Sequence, residues 1–207
     1  MDRRQRKTRK AIFDACVSLI EEKDFQKITV NEIVERADIN RGTFYLHFED
    51  KYEMMKSFEN EMIEKIEEVL VNNIPNEEQF NEQFLKSRYD TLVQLLNCYV
   101  ENNDLLQLLL KSGHNASFQA KLREKLHHVF TTKVFPNLKL DYEVPSDLFV
   151  ILFTSLSLSL AEYANQSNKP IDIEQLAKMF FNILIHGPAK TLGLLQVDDV
   201  ENKNNYF

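Results

Sequence analysis

Apolar residues recur at three- and four-residue spacing along most of the chain, with charge between them. Ile12, Cys16, Leu19 and Ile20 predict a helix over about residues 6–23, closed by Asp24-Phe25. Thr29 followed by Glu32 is a capping box, and it opens a short helix with Val30, Ile33, Val34 and Ala37 on one side. Asp38-Ile39 reads as a turn and Asn40 as the N-cap of a helix of about two turns, RGTFYLHF. Phe44 and Phe48 stand four apart in it and face the core. Asp50 caps a fourth helix with Glu53 at its third position, and Met54, Met55, Phe58, Met62, Ile66, Val69 and Leu70 carry it to about Asn72.

Beyond the Pro75-Asn76 break, a helix is expected over about 77–101, with Phe80, Phe84, Tyr89, Leu92, Leu96 and Tyr99 inward. A short apolar turn, LLQLLLK, follows, then a helix over about 115–134 and a loop over 136–145. TSLSLSLA alternates with period two, which alone argues a strand, yet it sits in an apolar run of 148–164, too long for one. That run reads as a buried helix whose serines allow close packing. A last helix begins at Asp172, boxed by Gln175, and stops at His186-Gly187-Pro188. Residues 198–207 read as a disordered tail. With four glycines and five prolines in 207 residues, the chain is expected to be all-α.

Charge changes this picture at one end. The formal net charge is −7, yet residues 1–52 hold 11 Lys+Arg against 10 Asp+Glu, leaving 14 against 22 for the remainder. MDRRQRKTRK alone carries six basic groups and one acid, which suits either a solvated N-terminus or an arm for nucleic acid. Cys16 and Cys98 fall in apolar helical patterns and read as free thiols of a reducing compartment. The N-terminus lacks a secretory apolar stretch, and 148–164 is short and rich in hydroxyls for a membrane span. A cytoplasmic protein without a membrane partner is expected.

Two short helices joined by a tight turn, the second opened by a cap and a basic residue, describe a helix-turn-helix. With Phe44 and Phe48 inward, Arg41, Gly42, Thr43, Tyr45, Leu46 and His47 spread over the outer arc. Arg41 and Lys51 each take the first position of a helix, where the dipole opposes a cation; phosphates across both helix starts would reverse that penalty. Gly42 leaves room for close backbone approach.

ITVNEIVERADINRGTFYLHFEDKYEMM resembles the DNA-binding signature of the TetR family of tetracycline-repressor-like regulators, and the likeness covers residues 6 to about 60. It implies that Thr29, Thr43, Tyr45, His47 and Lys51 hold phosphates of double-stranded operator DNA and that Arg41 reaches base edges. Leu46 replaces a frequent polar residue, leaving a thymine methyl as its available contact. The run IEQLAKMFFNILIHG is similar to the last helix of a subgroup with a dihydroxyacetone-kinase-regulator-type C-terminal region. The resemblance implies a homodimer with an inducer pocket, that is, a repressor released by an unknown small-molecule effector.

The expected division is 1–52 for DNA binding, 53–197 for dimerisation and effector binding, and 198–207 for the tail. Phe149, Phe153, Met179, Phe180 and Leu184 are candidates for the dimer seam or for ordinary core. Two other readings stand beside the repressor. One is a co-regulator of the same fold that acts through a protein partner. The other is a metal-responsive regulator using His114, His127, His128, His186 or Cys98, although the adjacent His127 and His128 point about 100° apart on a helix. No nucleophile elbow, His-Glu-x-x-His or paired-cysteine motif is present, so neither enzymatic activity nor a cofactor is expected.

Overall fold

Helices form where the apolar spacing calls for them. The computed structural model describes residues 3–74, 82–113, 115–137, 145–166 and 172–191. The Pro75-Asn76 break, Phe80, His114, most of the loop at 136–145 and the tail at 198–207 lie outside the described residues. Among those described there are nine α-helices and no strand: α1 (Arg3–Glu22), α2 (Val30–Arg36), α3 (Arg41–Tyr45), α4 (Lys51–Asn72), α5 (Glu82–Glu101), α6 (Asn103–Lys111), α7 (Asn115–Val129), α8 (Ser146–Gln166) and α9 (Ile173–Thr191). A single 3₁₀ turn, Phe25–Lys27, lies between α1 and α2. The basic N-terminus is no separate arm from Arg3 onward, because α1 begins there.

The chain divides into two compact units. The first takes the residues up to Glu68 together with Glu101–Val129. Its interior is Ile12, Cys16 and Leu19 from α1, Ile33 from α2, Phe44 and Phe48, then Met54, Met55, Phe58 and Met62 from α4, all buried. Leu106 and Leu109 of α6 and Phe118, Leu122 and Leu126 of α7 complete it. The LLQLLLK turn is thus the body of a helix, since four of its leucines find a core to enter. Burial pushes the Cys16 thiol up to about 12, so it stays protonated.

Ion pairs tie α4 to its neighbours in this unit. Arg9 Nη2 meets Glu61 at 3.0 Å, with its guanidinium 5.1 Å from the ring centre of Phe58 and 5.4 Å from that of Phe48. Lys125 meets Glu67 at 3.0 Å, and Lys121 pairs with the buried Glu59. These pairs alternate with buried apolar residues along α4, one helix serving both.

The second unit takes Val69–Val100 and the residues from Phe130 on. A π-helical turn (Phe130–Val134) and a 3₁₀ turn (Phe135–Asn137) end the helix expected over 115–134. Phe130 touches the rings of Phe135, Phe149 and Phe153 at 5.7, 5.1 and 5.4 Å, and Phe153 reaches Phe180 at 5.9 Å. That cluster sorts the candidates for seam or core: Phe153 and Phe180 are interior, 6% and 0% exposed, while Met179 and Leu184 lie outside at 41% and 39%.

The serine alternation in α8 is resolved in the same way. A helical turn brings Ser157 inward, where its Oγ lies 3.3 Å from the Tyr99 hydroxyl, and leaves Ser155 and Ser159 outside. By length and composition α8 is apolar enough to cross a bilayer, with a mean hydropathy of 1.4 over Ser146–Ala164. Its inner face nevertheless includes the hydroxyls of Thr154 and Ser157. At the end of α9, Gly187 takes φ 75°, a left-handed conformation open to glycine at little cost, and the helix breaks there as its sequence predicts.

Candidate nucleic-acid interface

Three helix starts build the site. At the first, Thr29 is extended (φ −105°, ψ 156°); its Oγ1 accepts from Glu32 N at 3.3 Å, while its N donates to Glu32 Oε2 at 2.9 Å. The Thr29 hydroxyl in turn donates to Glu32 Oε2 at 2.9 Å. Lys23 pairs with the other oxygen of the same carboxylate. Together, the Lys23 bond first and then those from Thr29, they draw the Glu32 carboxyl down from 4.5 to about 2. The capping box is therefore complete, and the Thr29 hydroxyl serves it with both lone pair and proton.

The turn from α2 to α3 needs one left-handed residue, and Asp38 supplies it at φ 51°, a conformation that aspartate tolerates better than most. Asn40 caps α3 through its backbone, not its side chain: its carbonyl accepts from Thr43 N at 2.8 Å and Phe44 N at 3.3 Å. Phe44 is fully buried and Phe48 nearly so, which fixes the rotation of α3. Arg41, Gly42, Tyr45 and Leu46 then face solvent, with Thr43 and His47 half-buried at the edges. Leu46 is 86% exposed, an unusual fraction for a leucine.

Within this face Arg41 and Tyr45 touch. Nη2 and Nε of Arg41 donate to the Tyr45 hydroxyl at 3.1 and 3.4 Å, and the guanidinium sits 5.5 Å from the ring centre. Gly42 has no internal reason to be glycine, because a Cβ there would meet nothing within 4 Å and its φ is not positive.

At the third start, Asp50 Oδ1 accepts from Tyr52 N and Glu53 N, each at 2.8 Å. Glu53 reaches past the cap, its Oε2 accepting from Glu49 N at 2.6 Å. Lys51 Nζ turns away from its own helix and donates to the carbonyls of Phe25, Gln26 and Ile28. The sequence reading missed these partners: backbone carbonyls have no side-chain signature, and only Phe25 and Tyr52, whose rings flank the ammonium, could have hinted at them.

A groove of about 490 Å³ lies elsewhere in the unit, between α4 and α7, lined by Asn60, Ile63, Glu64, Lys121, Glu124 and Lys125 among others. Its two lysines are paired with Glu59 and Glu67. Among the described residues no three His, Cys, Asp or Glu side chains are grouped as metal ligands are.

Residues 12–58 match the family described as bacterial regulatory proteins, tetR family. Over 101 residues the chain is 26% identical to the uncharacterized HTH-type transcriptional regulator YxbF of Bacillus subtilis, a match spanning 49% of this chain and 26% of that protein. The chain thus spans only about a quarter of the curated relative it matches. Two solved structures share the fold. A Clostridium perfringens protein, provisionally described as a fatty acid metabolism regulator, superposes with a TM-score of 0.65 at 17% identity, over 86% of this chain and 97% of that one. NalD of Pseudomonas aeruginosa, the secondary repressor of the MexAB-OprM multidrug efflux pump, does so with a TM-score of 0.62 at 19% identity, over 88% and 97%. The family match covers the helix-turn-helix segment, and the solved structures share the fold of the chain.

Proposed function

We propose that the chain is a homodimeric repressor that binds a palindromic operator through its helix-turn-helix and leaves it when a small-molecule effector binds. The observation that carries this reading is the outer face of α3. It exposes a guanidinium, a phenol and a leucine beside a glycine that nothing inside the chain requires. Such a face suits a major groove: Arg41 can pair with a guanine, Leu46 can meet a thymine methyl, and Gly42 lets backbone approach the duplex. Thr43, Tyr45 and His47 border it as phosphate ligands, and the helix starts at Thr29 and Lys51 flank it.

In this proposal residues 1–52 bind DNA and residues 53–197 dimerise and take the effector. Dimerisation is supported by an apolar stripe: Leu148, Ile151, Leu152 and Tyr163 on α8, with Met179, Leu184 and Ile185 on α9, are 39–61% exposed. Ser155 and Ser159 lie on the exposed side of α8, where small residues let two helices approach. A second copy of the chain would cover this stripe. Such a regulator would act in the cytoplasm. Only the run IEQLAKMFFNILIHG points toward the dihydroxyacetone-kinase-regulator subgroup, and the family match at residues 12–58 lies elsewhere in the chain. A co-regulator acting through a partner protein would leave the α3 face without a role.

The test is selection of duplexes from a random pool by the full chain. An enriched two-fold-symmetric site is expected, with half-sites about one helical turn apart or a multiple of that. Failure to enrich any sequence at low salt would refute operator binding.

A further inference from the structure

Lys51 opens α4, where the amide dipoles of its own helix oppose a cation. Its side chain crosses to the segment that precedes α2. Nζ lies 2.7 Å from the Ile28 carbonyl oxygen, 2.9 Å from that of Gln26 and 3.0 Å from that of Phe25. An ammonium has three protons, and three carbonyls take them. Two rings enclose it, with Nζ 4.9 Å from the centre of Phe25 and 5.1 Å from that of Tyr52. Those rings meet edge to face at 5.9 Å, and the Tyr52 hydroxyl donates to Gln26 Oε1 at 3.2 Å. Burial lowers the ammonium's pKa from its ordinary 10.5.

The three carbonyls belong to residues 25–28, which run directly into Thr29, the N-cap of α2. Lys51 therefore ties the start of α4 to the start of α2. Removing it would leave three carbonyls facing the space of one absent donor and would loosen both helix starts together. An ammonium that is saturated by backbone and covered by two rings has no proton left for a phosphate.

We propose that Lys51 is a positioning residue for operator binding: it fixes the starts of α2 and α4 relative to each other and does not itself neutralise a phosphate. The proposal rests on the operator-binding reading above, and its test separates the two. The operator affinity of wild type, Lys51→Met and Lys51→Arg is measured across a range of salt concentrations, beside their thermal unfolding. Each phosphate neutralised contributes about 0.9 to the slope of log K against log salt. Lys51→Met should weaken binding about tenfold or more and lower the unfolding midpoint, because hydrogen bonds from a charged donor are lost. The salt slope should equal that of wild type. Lys51→Arg should recover part of the midpoint and of the affinity together.

A slope reduced by about 1 per subunit, with unfolding unchanged, would overturn the proposal. No binding by wild type at low salt would instead sink the operator reading and leave the stability prediction standing. A measurement on the wild-type chain covers the case in which Lys51→Met fails to fold. In competitive acetylation read by mass spectrometry, Lys51 should react more slowly than the exposed Lys10, with or without operator duplex. Ready reaction of the free chain, suppressed only by DNA, would mean that the ammonium waits for phosphate, and the proposal would fail.

Discussion

Around α3, two buried phenylalanines leave the opposite face to arginine, tyrosine, glycine and leucine. Along α8 and α9, a buried phenylalanine cluster leaves the opposite face to leucine, isoleucine, methionine and tyrosine. Both regions fix their rotation by burying aromatics; they differ in what remains outside. A polar face on a five-residue helix is content in water, so its composition reflects a task more than a folding need. An apolar face on helices of 21 and 19 residues is a liability in water, so its composition implies a cover. The same rule of reading, applied to exposed residues, thus supports the proposed operator surface in one place and the proposed self-association surface in the other.

The largest effect expected from this contrast is on assembly. Ile151 and Leu152 lie outside on α8 at 43% and 60% exposure. Replacing both with Asp should split the dimer into folded monomers at micromolar concentration, since burying each such side chain stabilises by about 1.5–3 kcal/mol. Sedimentation equilibrium reads the mass and circular dichroism the fold. A dimer of unchanged stability would break the comparison, because the exposed apolar stripe would then have no cover to lose.

Legibility in the sequence follows the range of the interactions. Helix starts were readable because a cap and its partner lie three residues apart, as with Thr29 and Glu32 or Asp172 and Gln175. The inward turn of α3 was readable because Phe44 and Phe48 are four apart. Partners distant in sequence were not. Ser157 finds Tyr99 across 58 residues, whereas the helical reading of TSLSLSLA needed only the length of the apolar run around it. Seam or core stayed open for Phe153 and Phe180, because nothing local shows that Phe153 meets the rings of Phe130, Phe149 and Phe180. At the candidate site, residue types and spacing named the outer face of α3 in full. The carbonyl cage around Lys51 stayed hidden, as did the bond from Arg41 to Tyr45.

That bond sharpens the next prediction. Arg41→Ala should cost about 1–3 kcal/mol on the selected operator and relax preference at one base pair per half-site. Tyr45→Phe removes the acceptor that holds the guanidinium at 3.1 Å, so it should lower affinity and also blur preference at the base pair that Arg41 reads. Binding of both variants to all single-base operator changes at one salt concentration checks this. If Tyr45→Phe weakens every sequence equally, the two side chains act independently on DNA.

A smaller effect concerns the start of α2. The folded pKa of Glu32 is depressed from 4.5 to about 2, so the stability it contributes is present above pH 4.5 and is lost as pH falls toward 2. Glu32→Gln should flatten the fall in unfolding midpoint across that window. Thr29→Ala should cost about 1 kcal/mol near neutral pH by removing the cap. Thermal unfolding followed by circular dichroism against pH gives both numbers, and an identical acid profile for wild type and Glu32→Gln would remove Glu32 from the account.

The smallest effect is the one with opposite signs. Gly42 sits in the first turn of α3, exposed, with open space where a Cβ would stand. Glycine in a helix is less stable than alanine by roughly 0.5–1 kcal/mol, so Gly42→Ala should raise the unfolding midpoint of the free chain. The same methyl would project from the face that meets the groove. Operator affinity should therefore fall although the protein becomes more stable. A variant chosen for destabilisation cannot distinguish lost folding from lost contact, whereas this one moves the two readouts apart. If Gly42→Ala stabilised the chain and bound the operator as well as wild type, close approach at α3 would have to be given up. The glycine would then be a position that neither folding nor DNA constrains, and the outer face of α3 would begin at Arg41 and resume at Tyr45.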